Sequence, residues 1–326
     1  MTEPSKTPAV SIVIPAFGVA KFIQQTLDSV FAQTFVDYEI IVVNDGSPDT
    51  EELRAILRPH MTRLRYIEQE NRGLSGARNS GIKEAKGEMI ALLDGDDIWL
   101  PNYLAEQVGF LRQHPEYDLV YCDAEIFGDS PLDGKRYMDY FPSVGEADFA
   151  GVITRRCHVF VSVMMRRQAS LAVGGFDESL RSCEDFDYWL RFASSGHRIG
   201  YQSKLLVRYR KHGTSLSSNR AAMAEFNLKV LDKTLCLYPP DSYEAELIRR
   251  AQLSKRAELH LIRAKMDILA GEWDAASIHL LEANEQYRSK KIELVVKLLE
   301  VFPGLVRSLY KLRRSMLQTY RDGLKA

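Results

Sequence analysis

Met89-Ile90-Ala91-Leu92-Leu93-Asp94-Gly95-Asp96-Asp97 is an apolar run that breaks directly into three carboxylates. Five consecutive apolar residues closed by a turn signal read as a strand buried on both faces. The acids after it need a separate explanation. Two carboxylates about 4 Å apart repel by on the order of 4 kcal/mol at an effective dielectric of about 20. Solvent, protonation or a cation must offset that. Hard oxygen ligands suit Mg²⁺ or Mn²⁺, which share their shell with phosphate and water. Taken alone the tetrapeptide is more often a surface turn, with Asp97 capping a short helix before Pro101.

The sequence before this stretch alternates strand and helix signals. Val10-Ser11-Ile12-Val13-Ile14-Pro15 and Glu39-Ile40-Ile41-Val42-Val43 are apolar runs, and Leu64-Arg65-Tyr66-Ile67 is a shorter one. Helical spacing occupies Lys21 to Ala32, a stretch from Glu51 towards Pro59, and Gly73 to Lys86. Tyr103 to Gln113 and Leu119-Val120-Tyr121 continue the alternation. This order predicts an α/β fold with a mainly parallel sheet flanked by helices. Such sheets bind ligands beyond the carboxyl ends of their strands, where Pro15, Asp45 and Asp94 fall.

Residues 123 to 158 read as irregular, Val159 to Met165 as a strand, Asp185 to Ser195 as a helix and Leu205 to Tyr209 as a last strand. In that helix Phe186, Trp189, Leu190 and Phe192 have core-like spacing. After Ser218 the chain reads as an α-helical C-terminal region. Small residues at about 257–286 suggest one tetratricopeptide-like hairpin, and a single copy is not an array. Residues 290–325 form a basic amphipathic end, with Pro303-Gly304 interrupting an apolar stripe. It either packs on the protein's own body or lies peripherally on an anionic membrane at its inner face. The expected division is a flexible N-terminus at 1–8, a catalytic domain at 9–217 and a helical extension at 218–326.

Composition excludes several classes. The chain has 326 residues, 45% hydrophobic and 27% charged, with a formal net charge of -1, so no broad basic field favours nucleic acid. Four scattered cysteines make no CxxC pair, which argues against a zinc site or a disulfide framework. No stretch approaches the roughly 18 uninterrupted apolar residues of a membrane span. A cytoplasmic protein is expected. Ala16-Phe17-Gly18-Val19 after the first strand is not the Gly-x-Gly-x-x-Gly of a dinucleotide-binding oxidoreductase. Nor does a Gly-rich, basic phosphate loop of a nucleotidyltransferase follow there.

Asn71-Arg72-Gly73-Leu74-Ser75-Gly76-Ala77-Arg78-Asn79-Ser80-Gly81 opens a helix. Its small residues either bring backbone amides close to an anion or allow tight packing. With Val10-Ser11-Ile12-Val13-Ile14-Pro15, Glu39 to Ser47, Leu93 to Pro101, Gly175-Phe176-Asp177-Glu178 and Glu184-Asp185-Phe186-Asp187-Tyr188-Trp189-Leu190-Arg191, these blocks resemble the family 2 glycosyltransferases. The resemblance spans about residues 9 to 217 and implies a GT-A-type, Rossmann-like fold.

The resemblance also implies roles. Pro15, Ala16 and Phe17 would line the base pocket, and Asp45 would read the base. Asn71, Gly73, Arg78, Asp94 and Gly95 would bind the nucleotide sugar. Asp94, Asp96 and a late His212 would hold Mn²⁺ or Mg²⁺. Asp185 would be the catalytic base, with Glu184 and Trp189 orienting the acceptor. The implied activity is inverting transfer from a nucleotide-diphosphate sugar, UDP being favoured, to an acceptor hydroxyl in surface polysaccharide or glycoconjugate assembly. The alternative is a degenerate member acting as a sugar-nucleotide-binding or scaffold module. Phe17-Gly18 departs from the family's Tyr-Asn. The Gln-x-x-Arg-Trp segment of processive synthases is missing, so a non-processive enzyme is implied.

Overall fold

A computed structural model describes residues 7–213 and 219–312. The chain divides into two compact units, Met1–Ser215 and Leu216–Ala326. Most of the expected flexible N-terminus, the expected junction at 217–218 and residues 313–325 of the basic end lie outside the described residues.

The first unit runs β1 (Val10–Ala16), α1 (Ala20–Phe31), β2 (Tyr38–Asp45), α2 (Thr50–Leu57), β3 (Arg65–Gln69), α3 (Gly73–Glu84), β4 (Met89–Leu92) and β5 (Ile98–Trp99). It continues with α4 (Tyr103–Gln113), β6 (Leu119–Gly128), α5 (Phe149–Ile153), β7 (Val163–Arg166), α6 (Arg167–Val173), α7 (Glu184–Ser194) and β8 (Ile199–Lys211). Among the described residues these strands form one eight-stranded sheet in the order β3-β2-β1-β4-β7-β6-β8-β5.

β1 pairs in parallel with β2 and β4, and β2 with β3. Every residue of β1 and β4 is buried, as expected of strands covered on both faces. The ladder from β1 to β4 ends at Val13 and Leu92, so Pro15 lies beyond it and its missing N–H breaks no bond there. α3 settles close on β1: a Cβ at Gly81 would stand 2.3 Å from Val13 Cγ1. That glycine therefore serves close packing.

β7 is antiparallel to both β4 and β6, while β6 and β8 run parallel. The carboxyl ends of β6 and β8 consequently return to the edge where β1, β2 and β4 end. Two strands exceed their expected lengths. β6 runs on through Gly128 and β8 starts at Ile199, and the two pair with register shifts around Asp123. Asp123 opens the stretch expected to be irregular. Its Oδ1 accepts from the Ala124 and Met138 amides and its Oδ2 from Arg136, so the buried acid is satisfied within a bulge. β7 is shorter than expected, and α5 and α6 lie in stretches not read as helices.

The second unit is helical: α8 (Arg220–Leu235), α9 (Tyr243–Ala270), α10 (Trp273–Tyr287) and α11 (Lys290–Val301), with residues 303–312 also helical. Ser242 caps α9 by accepting from the Ala245 amide. α9 and α10 form a hairpin whose small residues Ala264, Ala276 and Ala283 are buried. Ile268, Leu280, Val296, Leu299 and Val306 join Ala264 and Ala276 in one apolar core.

Candidate active site

Strand ends and helix starts carry the polar residues of this edge. Asp45 closes β2 and is buried. Its Oδ1 accepts from Gln69 Nε2 at 2.7 Å and from the Arg72 amide at 2.9 Å. The carboxylate is thereby fixed in orientation beside the start of α3. Pro15 and Ala16 are buried in β1, whereas Phe17 is 52% exposed. Of that trio only Phe17 presents its side chain outward. Asn71 is exposed at the entrance to α3, and Arg181 reaches Gly73: its Nη1 lies 3.0 Å from where a Cβ would stand.

Arg78, expected to bind the nucleotide sugar, is buried beside the acidic turn. Only 1% of its side chain is exposed. Nη2 donates to Asp94 Oδ1 at 2.8 Å and Nη1 donates to Glu184 Oε1 at 2.7 Å. Burial opposes the charge, but the carboxylates of Asp94 and Glu184 outweigh it and raise the Arg78 pKa. The guanidinium thus ties the acidic turn after β4 to the first turn of α7. A second tie runs from Arg72 to Glu178 at 2.6 Å.

The acidic turn is not the solvated surface loop of its simplest reading. A Cβ at Gly95 would stand 2.9 Å from the Pro15 carbonyl oxygen, so this glycine lets the turn lie against the end of β1. Asp96 Oδ2 lies 2.8 Å from His212 Nε2, just past the end of β8. Burial raises the Asp96 pKa and the Asp94 charge adds to it, while the bond to His212 opposes. Asp97 does not cap a helix. It is fully buried and its Oδ1 accepts from the Arg210 amide at 2.8 Å, so it anchors β8. Burial pushes Asp97 well above the usual carboxylate range, helped by the charges of Asp96 and Asp94.

These residues fit a divalent cation in a specific sense. Among the described residues no three His, Cys, Asp or Glu side chains form a ready cage. Two neighbouring carboxylates, Asp94 and Asp96, completed by diphosphate oxygens and water, are the usual partial shell for Mg²⁺. Asp96 Oδ2 and His212 Nε2 would have to part to become ligands together.

At the start of α7, Glu184, Asp185 and Asp187 complement the helix dipole. Burial pushes the Glu184 carboxyl up to about 7, although Arg78 draws it down; Asp185 adds to the rise. Asp185 is half-buried, and its Oδ1 accepts from the following amide of Phe186 at 2.7 Å. Trp189, expected to orient an acceptor, is only 2% exposed and lies edge-on to Tyr188 and Phe176. It belongs to the core, because α7 is buried around most of its circumference.

Several neighbours were missed in the sequence. Arg210 Nε donates to the Asp96 carbonyl at 2.6 Å, and Phe22 packs against both the His212 ring and the Arg210 guanidinium. Near Asp185, Arg155 adopts a left-handed φ of 59° and stacks 3.8 Å over Phe186. Tyr137 is pushed up to about 12 by burial, with the Asp185 charge adding to it. Arg155 and Tyr137 sit in the stretch read as irregular. No periodic signal marked them.

The sequence pattern described as Glycosyl transferase family 2 matches residues 11–172. An uncharacterized glycosyltransferase of Rickettsia typhi is 31% identical over 224 residues, covering 65% of this chain and 67% of that protein. S. aureus TarS 1-349 in complex with UDP-GlcNAc is similar at TM-score 0.61 and 19% identity, covering 96% of this chain and 92% of that one. The mannosyltransferase PcManGT from Pyrobaculum calidifontis, in complex with GDP-Man and Mn²⁺, is similar at TM-score 0.61 and 17% identity, over 94% and 88% of the two chains. At such identities these two structures speak for the GT-A-type fold alone.

Proposed function

The chain belongs to glycosyl transferase family 2, and from that premise we propose that it moves a sugar from a nucleoside-diphosphate donor, UDP favoured, to an acceptor hydroxyl with inversion. The observation that carries this reading is the Arg78 bridge, which joins the Asp94-Gly95-Asp96 turn to the Glu184-Asp185 pair. A group that receives a leaving diphosphate and a group that receives a proton are thereby held at one sheet edge. UDP-GlcNAc bound to TarS, and GDP-Man with Mn²⁺ bound to PcManGT, support the same donor class here.

In this reading Asp45, held by Gln69 and Arg72, accepts from the base, and Phe17 offers a stacking face. The start of α3 at Asn71 and Gly73 lies beside them. Asp94, Asp96 and His212 would hold Mn²⁺ or Mg²⁺, whose charge offsets that building on the departing diphosphate. Asp185 accepts the acceptor's hydroxyl proton while that oxygen bonds to the anomeric carbon. The bond from that carbon to the phosphate oxygen breaks on the opposite face, and its electron pair leaves with the diphosphate. General-base help of this kind contributes about 10²–10⁴-fold. Glu184 acts through Arg78 and keeps the two carboxylate groups in register. The proposed acceptor is a non-processively extended surface polysaccharide or glycoconjugate.

A thermal-shift screen of sugar nucleotides with and without Mn²⁺ tests the donor class. One donor at about a hundred times its Kd should add about 2.7 kcal/mol of stability, and more with Mn²⁺ than without. No shift with any sugar nucleotide in either condition would overturn the reading.

A further inference from the structure

The helical stretch 290–312 has two apolar faces, and the core uses only one. Val296, Leu299 and Val306 are buried against Ala264, Ile268, Ala276 and Leu280. Leu294, Val301, Phe302, Leu305, Leu309 and Leu312 are each more than half exposed. The spacing makes the second set two short stripes, one on each side of the break at Phe302. Leu294 and Val301 are seven residues apart on α11, and Leu305, Leu309 and Leu312 follow at four and three. The amphipathic reading of this segment posed packing on the body against lying on a surface. The structure shows packing on one side and leaves the other outward.

The charges beside the stripes have one sign in excess. Lys290 and Lys297, also seven apart and both exposed, flank Leu294 and Val301 on α11. Lys291 and Lys311 are exposed too. Across 290–312 five Lys and Arg stand against two Glu. Arg307 is set apart from this group, because its Nε donates to the Leu269 carbonyl and helps fix the segment to α9. No helix among the described residues is long and apolar enough to cross a membrane. Exposed leucines that reach the acyl boundary, with lysines at the level of lipid phosphates, match an anionic bilayer surface. A protein partner would have to supply a complementary acidic rim around an apolar groove.

We propose that the outward face of residues 290–312 lies on an anionic lipid surface. Binding then needs both apolar burial and lysine charge, and either alone gives only weak, reversible adsorption. The proposal stands independently of the transfer chemistry, since lipid binding is read without any sugar nucleotide.

Flotation of the full chain with vesicles decides it. Vesicles of phosphatidylcholine with phosphatidylglycerol should carry at least about ten times more protein than phosphatidylcholine alone. Two variants separate the contributions. Leu305→Ser/Leu309→Ser/Leu312→Ser changes only exposed side chains. Lys290→Gln/Lys291→Gln/Lys297→Gln/Lys311→Gln removes exposed charge. Each should lower the floated fraction by about tenfold while the far-ultraviolet dichroism stays that of the wild type. Equal flotation with neutral vesicles, no flotation at all, or unchanged flotation of the triple serine variant would overturn it. So would light scattering that finds a wild-type dimer converted to monomer by the serine substitutions, since that stripe would then belong to a second copy.

Discussion

The half of the sheet made of β3, β2, β1 and β4 reaches the candidate site by local means; the half made of β7, β6, β8 and β5 reaches it by long-range ones. In the first half each buried strand ends within a few residues of a polar group, as β2 does at Asp45 and β4 at Asp94. In the second half the site residues come from far along the chain. His212 meets Asp96 across 116 positions, and Glu184 meets Arg78 across 106. Backbone topology is enough to place the first set. Long-range side-chain pairs must place the second, and the buried one, Arg78 with Glu184, is costly to break from one side.

That difference is most sharply tested at Arg78, the residue common to both halves. Arg78→Met should cost about 3–5 kcal/mol in urea unfolding, because Glu184 and Asp94 lose their shared cation. Turnover should fall with it even at temperatures where the variant is folded. A variant of wild-type stability would mean that the bridge holds nothing together.

Glu184→Gln keeps an acceptor for Arg78 but removes a titrating group. In the folded chain the Glu184 pKa is raised to about 7 from an ordinary 4.5. Between those values the folded form keeps a proton that the unfolded chain has lost. Stability therefore falls as pH rises through that window and levels off above it. The glutamine variant should lose up to about 3 kcal/mol of that fall. Asp96 and Asp97 are shifted in the same direction and should sustain the remainder. Identical pH slopes in variant and wild type would remove Glu184 from the account.

Asp96→Ala probes the meeting of β4 with β8. Donor binding in the presence of Mn²⁺ should weaken by roughly 100-fold, about 2.7 kcal/mol, with little change in its absence. Calorimetry giving the same Mn²⁺ dependence as wild type would place the cation elsewhere. The smallest effect is expected on the local side. Phe17→Ala should reduce donor affinity by about 1 kcal/mol through a lost stacking face, as measured by the same titration. A larger loss would mean that Phe17 supports β1 as well as the base.

The same contrast explains what the sequence made legible. β1, β2 and β4 are continuous apolar runs, so their burial and order could be read directly, as could Asp45 and Asp94 at their ends. Arg78 was legible as a residue of interest but not in its partners, because these lie 16 and 106 positions away. β6 and β8 were read too short, since Asp123 and Glu125 in β6 and Gly200, Gln202, Ser203, Lys204 and Arg210 in β8 interrupt apolar periodicity. Glu125 instead pairs with Arg208, and Arg210 with a backbone carbonyl. For Trp189 the two sequence signals disagreed: the family motif pointed to an acceptor, the helical spacing to the core, and the burial of most of α7 decided its place. Arg155 and Tyr137 lay in a stretch with no period to read.

The most direct test of the transfer chemistry is the rate of nucleoside-diphosphate release from the donor found by thermal shift, with Mn²⁺ present, in wild type and in Asp185→Asn. The account predicts a fall of roughly 100-fold or more in the variant with donor affinity unchanged. Release at a near wild-type rate by a variant that binds donor normally would contradict it, because the proton would then be leaving to another group.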